Sequence, residues 1–177
     1  MGLFWANGPI RFQARVAGVV AEGPGIDEAT TRSSGPTRSI PKTNKPVLAE
    51  IFPNVHRNFG GGSPAPEIPG DNFSVRWQGV MNVAKAGEYR LFVQYDDGCR
   101  IWIDGERILD NWAGGSHEQT IPITLTKQQH SFKVEYCEHS ANGSIYLWWE
   151  SDSIAREIIP ADVFYHDPKL AKQIGVK

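Results

Sequence analysis

The residues able to do chemistry are few, and two of them stand side by side. Asp96 and Asp97, in Tyr95-Asp96-Asp97-Gly98, close one apolar run and are followed at once by another, which puts both carboxylates in a tight loop. Such a pair fits an Asx-type turn capping a strand. It equally fits a hard-cation site, because calcium takes about six to eight oxygens and two carboxylates with nearby carbonyls begin such a set. Asn142, in a separate loop, offers a neutral oxygen to the same kind of site. His139 shares that loop with Glu138 and Ser140, where it is placed to touch a ligand. Trp112, in Asp110-Asn111-Trp112-Ala113-Gly114-Gly115, reads either as a stacking platform for a sugar ring, with Asn111 beside it, or as a structural lid.

Other reaction chemistry has no foothold. The chain lacks a G-x-S-x-G elbow, an H-E-x-x-H pair, a Walker loop and a dinucleotide fingerprint. Gly60-Gly61-Gly62 has neither the lysine nor the following helix that a phosphate cradle needs. His56, His117, His130 and His166 are scattered without the spacing of a transition-metal site. The expectation is a protein that is not an enzyme.

Composition narrows the partners. With 18 basic and 20 acidic residues in 177, the net charge of -2 provides no single-sign field for nucleic acid. No run approaches the roughly 18 apolar residues of a membrane span, so membrane insertion is not expected. Arg11 and Arg15 interrupt the apolar run of residues 1–20, and no signal peptide is visible. The expected location is extracellular or cell-surface if the chain is cut from a secreted protein, and otherwise a cytoplasmically assembled particle. Cys99 and Cys137 are too few for a disulfide framework, and read as buried thiols or as one bridge.

The elements that must hold these residues read as strands. The 18 glycines and 12 prolines break the chain into short runs. Residues 10–20 alternate apolar and polar, as do 73–77 and 88–95. Asp104-Gly105 between apolar runs signals a two-residue hairpin. Further strands follow at 120–125, 131–136 and 144–150, whereas residues 58–72 are too rich in glycine and proline for a ladder. No helical periodicity competes. The predicted architecture is all-β, an antiparallel two-sheet sandwich of jelly-roll type with an extended N-terminal arm. Its parts are an N-terminal strand or arm (1–20), an irregular Gly/Pro/Ser/Thr-rich arm or loop (21–45), the sandwich (46–166) and a tail (167–177).

From Pro46 to about His166 the chain resembles the protective-antigen fourteen-kilodalton domain, the β-sandwich module of anthrax toxin, flocculins, adhesins and glycosidases. The matching segments are GGGSPAP (60–66), NFSVRWQGVM (72–81), AGEYRLFVQYDDGCRIWIDGERILDNW (86–112), FKVEYCE (132–138), IYLWWES (145–151) and EIIPADVF (157–164). The resemblance implies that Asp96 and Asp97 are joined by a cis peptide and ligate Ca2+, with Asn142 and loop carbonyls completing the set and sugar hydroxyls binding the ion. It implies a glycan ligand and a calcium-dependent lectin or adhesin role. Two alternatives stand beside it: a structural or assembly module of a larger particle such as a virion, contacting neighbouring subunits through residues 1–45, or an accessory domain of a glycosidase.

Overall fold

The computed structural model describes residues 16–22, 48–66 and 68–166; apart from residues 21 and 22, the expected arm at 21–45 and the tail at 167–177 lie outside them. The described chain is almost wholly strand: β1 (Val16–Glu22), β2 (Leu48–Phe52), β3 (His56–Gly60), β4 (Phe73–Asn82), β5 (Gly87–Asp96), β6 (Gly98–Ile103), β7 (Glu106–Asn111), β8 (His117–Leu125), β9 (Gln129–Glu138), β10 (Gly143–Ser151), β11 (Ile154–Ile158) and β12 (Phe164–Tyr165). A single 3-10 turn, Ala161–Val163, precedes β12. Seven strands form one sheet in the order β2-β1-β4-β9-β6-β7, with β12 added to β4. Five form the other in the order β11-β10-β5-β8, with β3 added to β10. Every pairing is antiparallel. The predicted two-sheet sandwich is therefore the fold.

Period-two alternation explains how the sheets pack. On β5, Tyr89, Leu91, Val93 and Tyr95 point inward and are buried, and on β4 the same holds for Phe73, Val75 and Trp77. These meet Phe132, Val134 and Tyr136 of β9, Ile101 of β6, and Ile145, Leu147 and Trp149 of β10 in one core. Pro122 is accommodated because β8 is an edge strand. The Asp104-Gly105 hairpin forms as read, with φ of 51° and 80° at its central residues. Asp104 is further held by His130, whose Nδ1 lies 2.6 Å from Oδ2, and by the Ser131 N–H at 2.8 Å.

The body also uses strands that weak patterning conceals. β1 lies between β2 and β4, so the seven-stranded sheet draws in a segment ahead of Pro46. β3 and β11 share one edge of β10, the first opposite residues 143–146 and the second opposite 148–151. Cys99 and Cys137 are buried and form no disulfide. In the register Cys99 faces Tyr136 while Cys137 faces Gly98, which turns the two thiols to opposite faces of their sheet and leaves no bridge.

One glycine is needed by the packing of β12. A Cβ at Gly79 would stand 2.5 Å from the Tyr165 carbonyl oxygen, and backbone cannot yield as a side chain does. Gly79→Ala is expected to lower stability by about 1–3 kcal/mol, read as a reduced urea midpoint at unchanged slope. An unchanged midpoint would mean that β12 is not seated on β4 in solution.

Candidate functional site

One end of the sandwich gathers four connections: the Asp96-Asp97 corner between β5 and β6, residues 112–116 after β7, residues 139–142 after β9, and the glycine-rich loop after β3. The Asp96–Asp97 peptide bond is cis. Asp97 is buried, and both of its carboxylate oxygens accept backbone N–H groups, Oδ1 from Gly115 at 2.7 Å and Oδ2 from His139 at 2.6 Å. Its own N–H donates to the Cys137 carbonyl at 3.2 Å. A single carboxylate thus ties together three of the loops.

The two aspartates crowd each other. Burial raises the pKa of Asp96, the Asp97 charge raises it further, and nearby His117 works the other way. The imidazole of His139 lies against Asp97, Nδ1 to Oδ2 3.4 Å, with its Nε2 3.8 Å from the Cys137 sulfur. A Cβ at Gly114 would come within 3.4 Å of Asp97 Oδ1 and 3.7 Å of His139 Nδ1, so the 112–116 loop closes tightly over this pair.

A third acid sits beneath the loop. Glu138 is 1% exposed, and its Oε1 has no hydrogen-bond partner. Its Oε2 lies 2.8 Å from the Tyr136 hydroxyl, which also contacts the Asp96 carbonyl. Burial raises the Glu138 pKa to about 7; the Tyr136 hydrogen bond opposes that rise, while the charges of Asp97, Asp96 and Asp71 reinforce it. A Cβ at Gly143 would stand 2.5 Å from Oε2, so only glycine lets the return strand cross here. Glu138 and Tyr136 escaped the reading of the sequence. The signal was present in the parity of FKVEYCE, which puts Glu138 on the same inward face as Phe132, Val134 and Tyr136.

The other predicted site residues divide. His139 is brought to the acid pair. Asn142 lies in the same loop, with its amide oxygen 3.7 Å from where a Cβ on Gly61 would be, and no hydrogen bond joins it to either aspartate. Asn111 is adjacent to the site, and its amide is braced internally: Nδ2 donates to the Tyr95 hydroxyl at 2.9 Å and Oδ1 accepts from the Ala113 N–H at 3.1 Å. Trp112 carries the Arg100 guanidinium over its ring at 4.4 Å, which occupies one ring face.

The donor set suits a hard cation. Asp96 and Asp97 would supply the anionic oxygens, and the orphaned Oε1 of Glu138 lies buried beneath them. Among the described residues no three His, Cys, Asp or Glu side chains converge as a ready-made cage, so an ion would have to draw on backbone carbonyls. The described residues contain no helix long and apolar enough to cross a membrane.

The fold and this loop cluster define a β-sandwich module with its chemistry at one end. The sequence profile of the PA14 domain family matches residues 36–162, and the chain belongs to that family. Anti-sigma-I factor RsgI3 of Acetivibrio thermocellus is 34% identical over 121 residues, a stretch that is 67% of this chain and 19% of that protein. An anti-sigma factor domain-containing protein from Clostridium clariflavum superposes with a TM-score of 0.70 at 28% identity, over 86% of this chain and 47% of that one. A PA14 sugar-binding domain from an RTX adhesin superposes with a TM-score of 0.67 at 18% identity, over 87% of this chain and 99% of that one. The chain thus spans about a fifth of its curated relative and about half of the anti-sigma structure.

Proposed function

We propose that the chain is a non-catalytic, extracellular carbohydrate-binding module whose glycan contact depends on Ca2+ at Asp96 and Asp97. The observation that carries this reading is the acid pair, Asp97 buried and Asp96 half-buried, at the meeting point of three loops, with a further carboxylate oxygen left unpartnered behind it. Asn142 and carbonyls of the Ser140 to Ser144 loop would hold the ion together with the two aspartates. When bound, the ion offers open coordination positions to vicinal sugar hydroxyls. Asp97 fixes the loop positions and His139 lies against it, with Trp112 in the adjoining loop. The sugar-binding name of the adhesin neighbour is consistent with this assignment.

A second reading is favoured by the identity to the anti-sigma-I factor, namely that the module serves as the external part of a signalling protein. The two are compatible, since a glycan module can report its ligand.

Asp97→Ala tests the site. The parent chain is expected to gain about 2.7 kcal/mol of stability when free calcium is a hundredfold above its dissociation constant, and the variant to gain nothing. The variant is also expected to lose glycan retention on a broad array. A calcium-dependent melting shift that survives in Asp97→Ala removes this site from consideration.

A further inference from the structure

The solvent face of the five-stranded sheet carries aromatic side chains that the core does not use. Along β10, Ile145, Leu147 and Trp149 are buried inward, while Tyr146 and Trp148 point outward and are half-buried. Trp148 pairs in register with Phe92 of β5, and Tyr146 with His56 of β3. The rings form a continuous band: His56 to Tyr146 4.6 Å, Tyr146 to Trp148 5.7 Å and His56 to Trp148 6.0 Å between centroids. The Arg156 guanidinium lies 3.9 Å over Phe92 and 5.5 Å from Trp148, ending the band in hydrogen-bond donors.

The band leads to the candidate site. In the same register Ser144 faces Asp96, Tyr146 faces Gln94 and Trp148 faces Phe92, so outward positions step from the acid pair to the tryptophan. Two steps of two residues cover about 14 Å, more than one sugar unit. The chemistry is mixed at each step, ring faces beside amide, hydroxyl and guanidinium. A pyranose matches that mixture, with C–H faces for the rings and hydroxyls for the polar groups. The ring planes are not coplanar, Tyr146 and Trp148 differing by 39°, which suits a twisted free strand better than a flat crystalline surface.

We propose that this band binds one soluble polysaccharide strand, which runs from the acid pair along β10 with sugars stacked on Tyr146 and Trp148. The proposal rests on the carbohydrate-binding reading and extends it from a single sugar to a chain.

The test measures the purified chain by calorimetry against β-1,4-linked glucose and xylose oligomers of one to six units, with crystalline cellulose as a flat-surface control. Affinity is expected to rise with oligomer length. Trp148→Ala and Tyr146→Ala are each expected to weaken hexamer binding about tenfold, leaving the calcium-dependent melting shift in place. Trp148→Phe, which keeps a ring, is expected to retain most of the affinity, and it stands in if the alanine variant does not fold. Length-independent affinity, a Trp148→Ala variant that binds the hexamer normally, or preference for crystalline cellulose overturns the strand. If the parent chain binds no sugar of any length, the carbohydrate reading itself fails. If Trp148→Ala instead abolishes self-association in sedimentation runs, the face is a protein contact and the proposal is wrong.

Discussion

Glu135→Gln is expected to destabilise the fold by about 3–5 kcal/mol, among the largest effects of any single surface-sheet substitution in this protein. Glu135 faces outward from β9, yet it is only 5% exposed because three cations surround it. Arg76 of β4 donates to it through Nε at 2.9 Å and approaches through a second nitrogen at 2.8 Å; Lys133 lies 3.8 Å away. Arg100 of β6 sits directly opposite in register, itself 4% exposed and paired through Nε to Asp110 of β7 at 2.7 Å. The signs therefore alternate across four strands along one register line. Removing the central anion leaves the part-exposed Arg76 and Lys133 without it and the buried Arg100 with Asp110 alone, and truncating one member of a desolvated network is far worse than never having built it. The same asymmetry predicts that Glu135→Gln combined with Arg76→Met recovers part of the loss. Urea unfolding measures both. A loss below about 0.5 kcal/mol for Glu135→Gln would show that the ladder is solvated and behaves like an ordinary surface pair.

That ladder also shows what a sequence can and cannot disclose. The strands that hold it were legible, because Phe73 to Trp77, Ser131 to Tyr136 and the Asp104-Gly105 hairpin each carry a local pattern. Asp96 and Asp97 were legible as a candidate site for the same reason: two acids between apolar runs announce themselves within four residues. β2, β3 and β11 were not, since each is five residues long, and β3 and β11 each pair with only half of β10. The bracing of Asn111 was hidden because its partner, Tyr95, lies 16 residues away on another strand. Alternation along β9 places Glu135 outward, and only the arrival of Arg76 and Arg100 from distant segments makes it a buried charge. Local alternation predicts faces; it does not predict what covers them.

Glu138 provides the pH test of the site end. In the unfolded chain its carboxyl releases a proton near the ordinary value of 4.5, and in the fold near 7. Between those values the folded protein holds more protons than the unfolded one, so stability is greatest below the window and falls as pH rises through it. The loss amounts to about 3 kcal/mol if the whole shift is realised. Burial gives the reason, with the charges of Asp97, Asp96 and Asp71 behind it, and the geometry around Tyr136 gives the proton a place. The Tyr136 hydroxyl has two acceptors, the Asp96 carbonyl and Glu138 Oε2, and only one proton. A protonated Glu138 supplies the second, donating to the Tyr136 oxygen while Tyr136 donates to Asp96. Asp96 is raised in the same direction, whereas Asp104 is lowered: burial opposes its ionisation, but the His130 and Ser131 hydrogen bonds prevail. The Asp104 contribution is lost only as pH falls below about 4, outside this window. Glu138→Gln, which donates like the protonated acid, is expected to match the parent near pH 4.5, to exceed it in stability at pH 7 to 8, and to flatten most of the slope between. Unfolding free energies measured across that range decide the matter. A parent profile that is flat from 4.5 to 7, or a slope that persists undiminished in Glu138→Gln, would place the buried proton elsewhere.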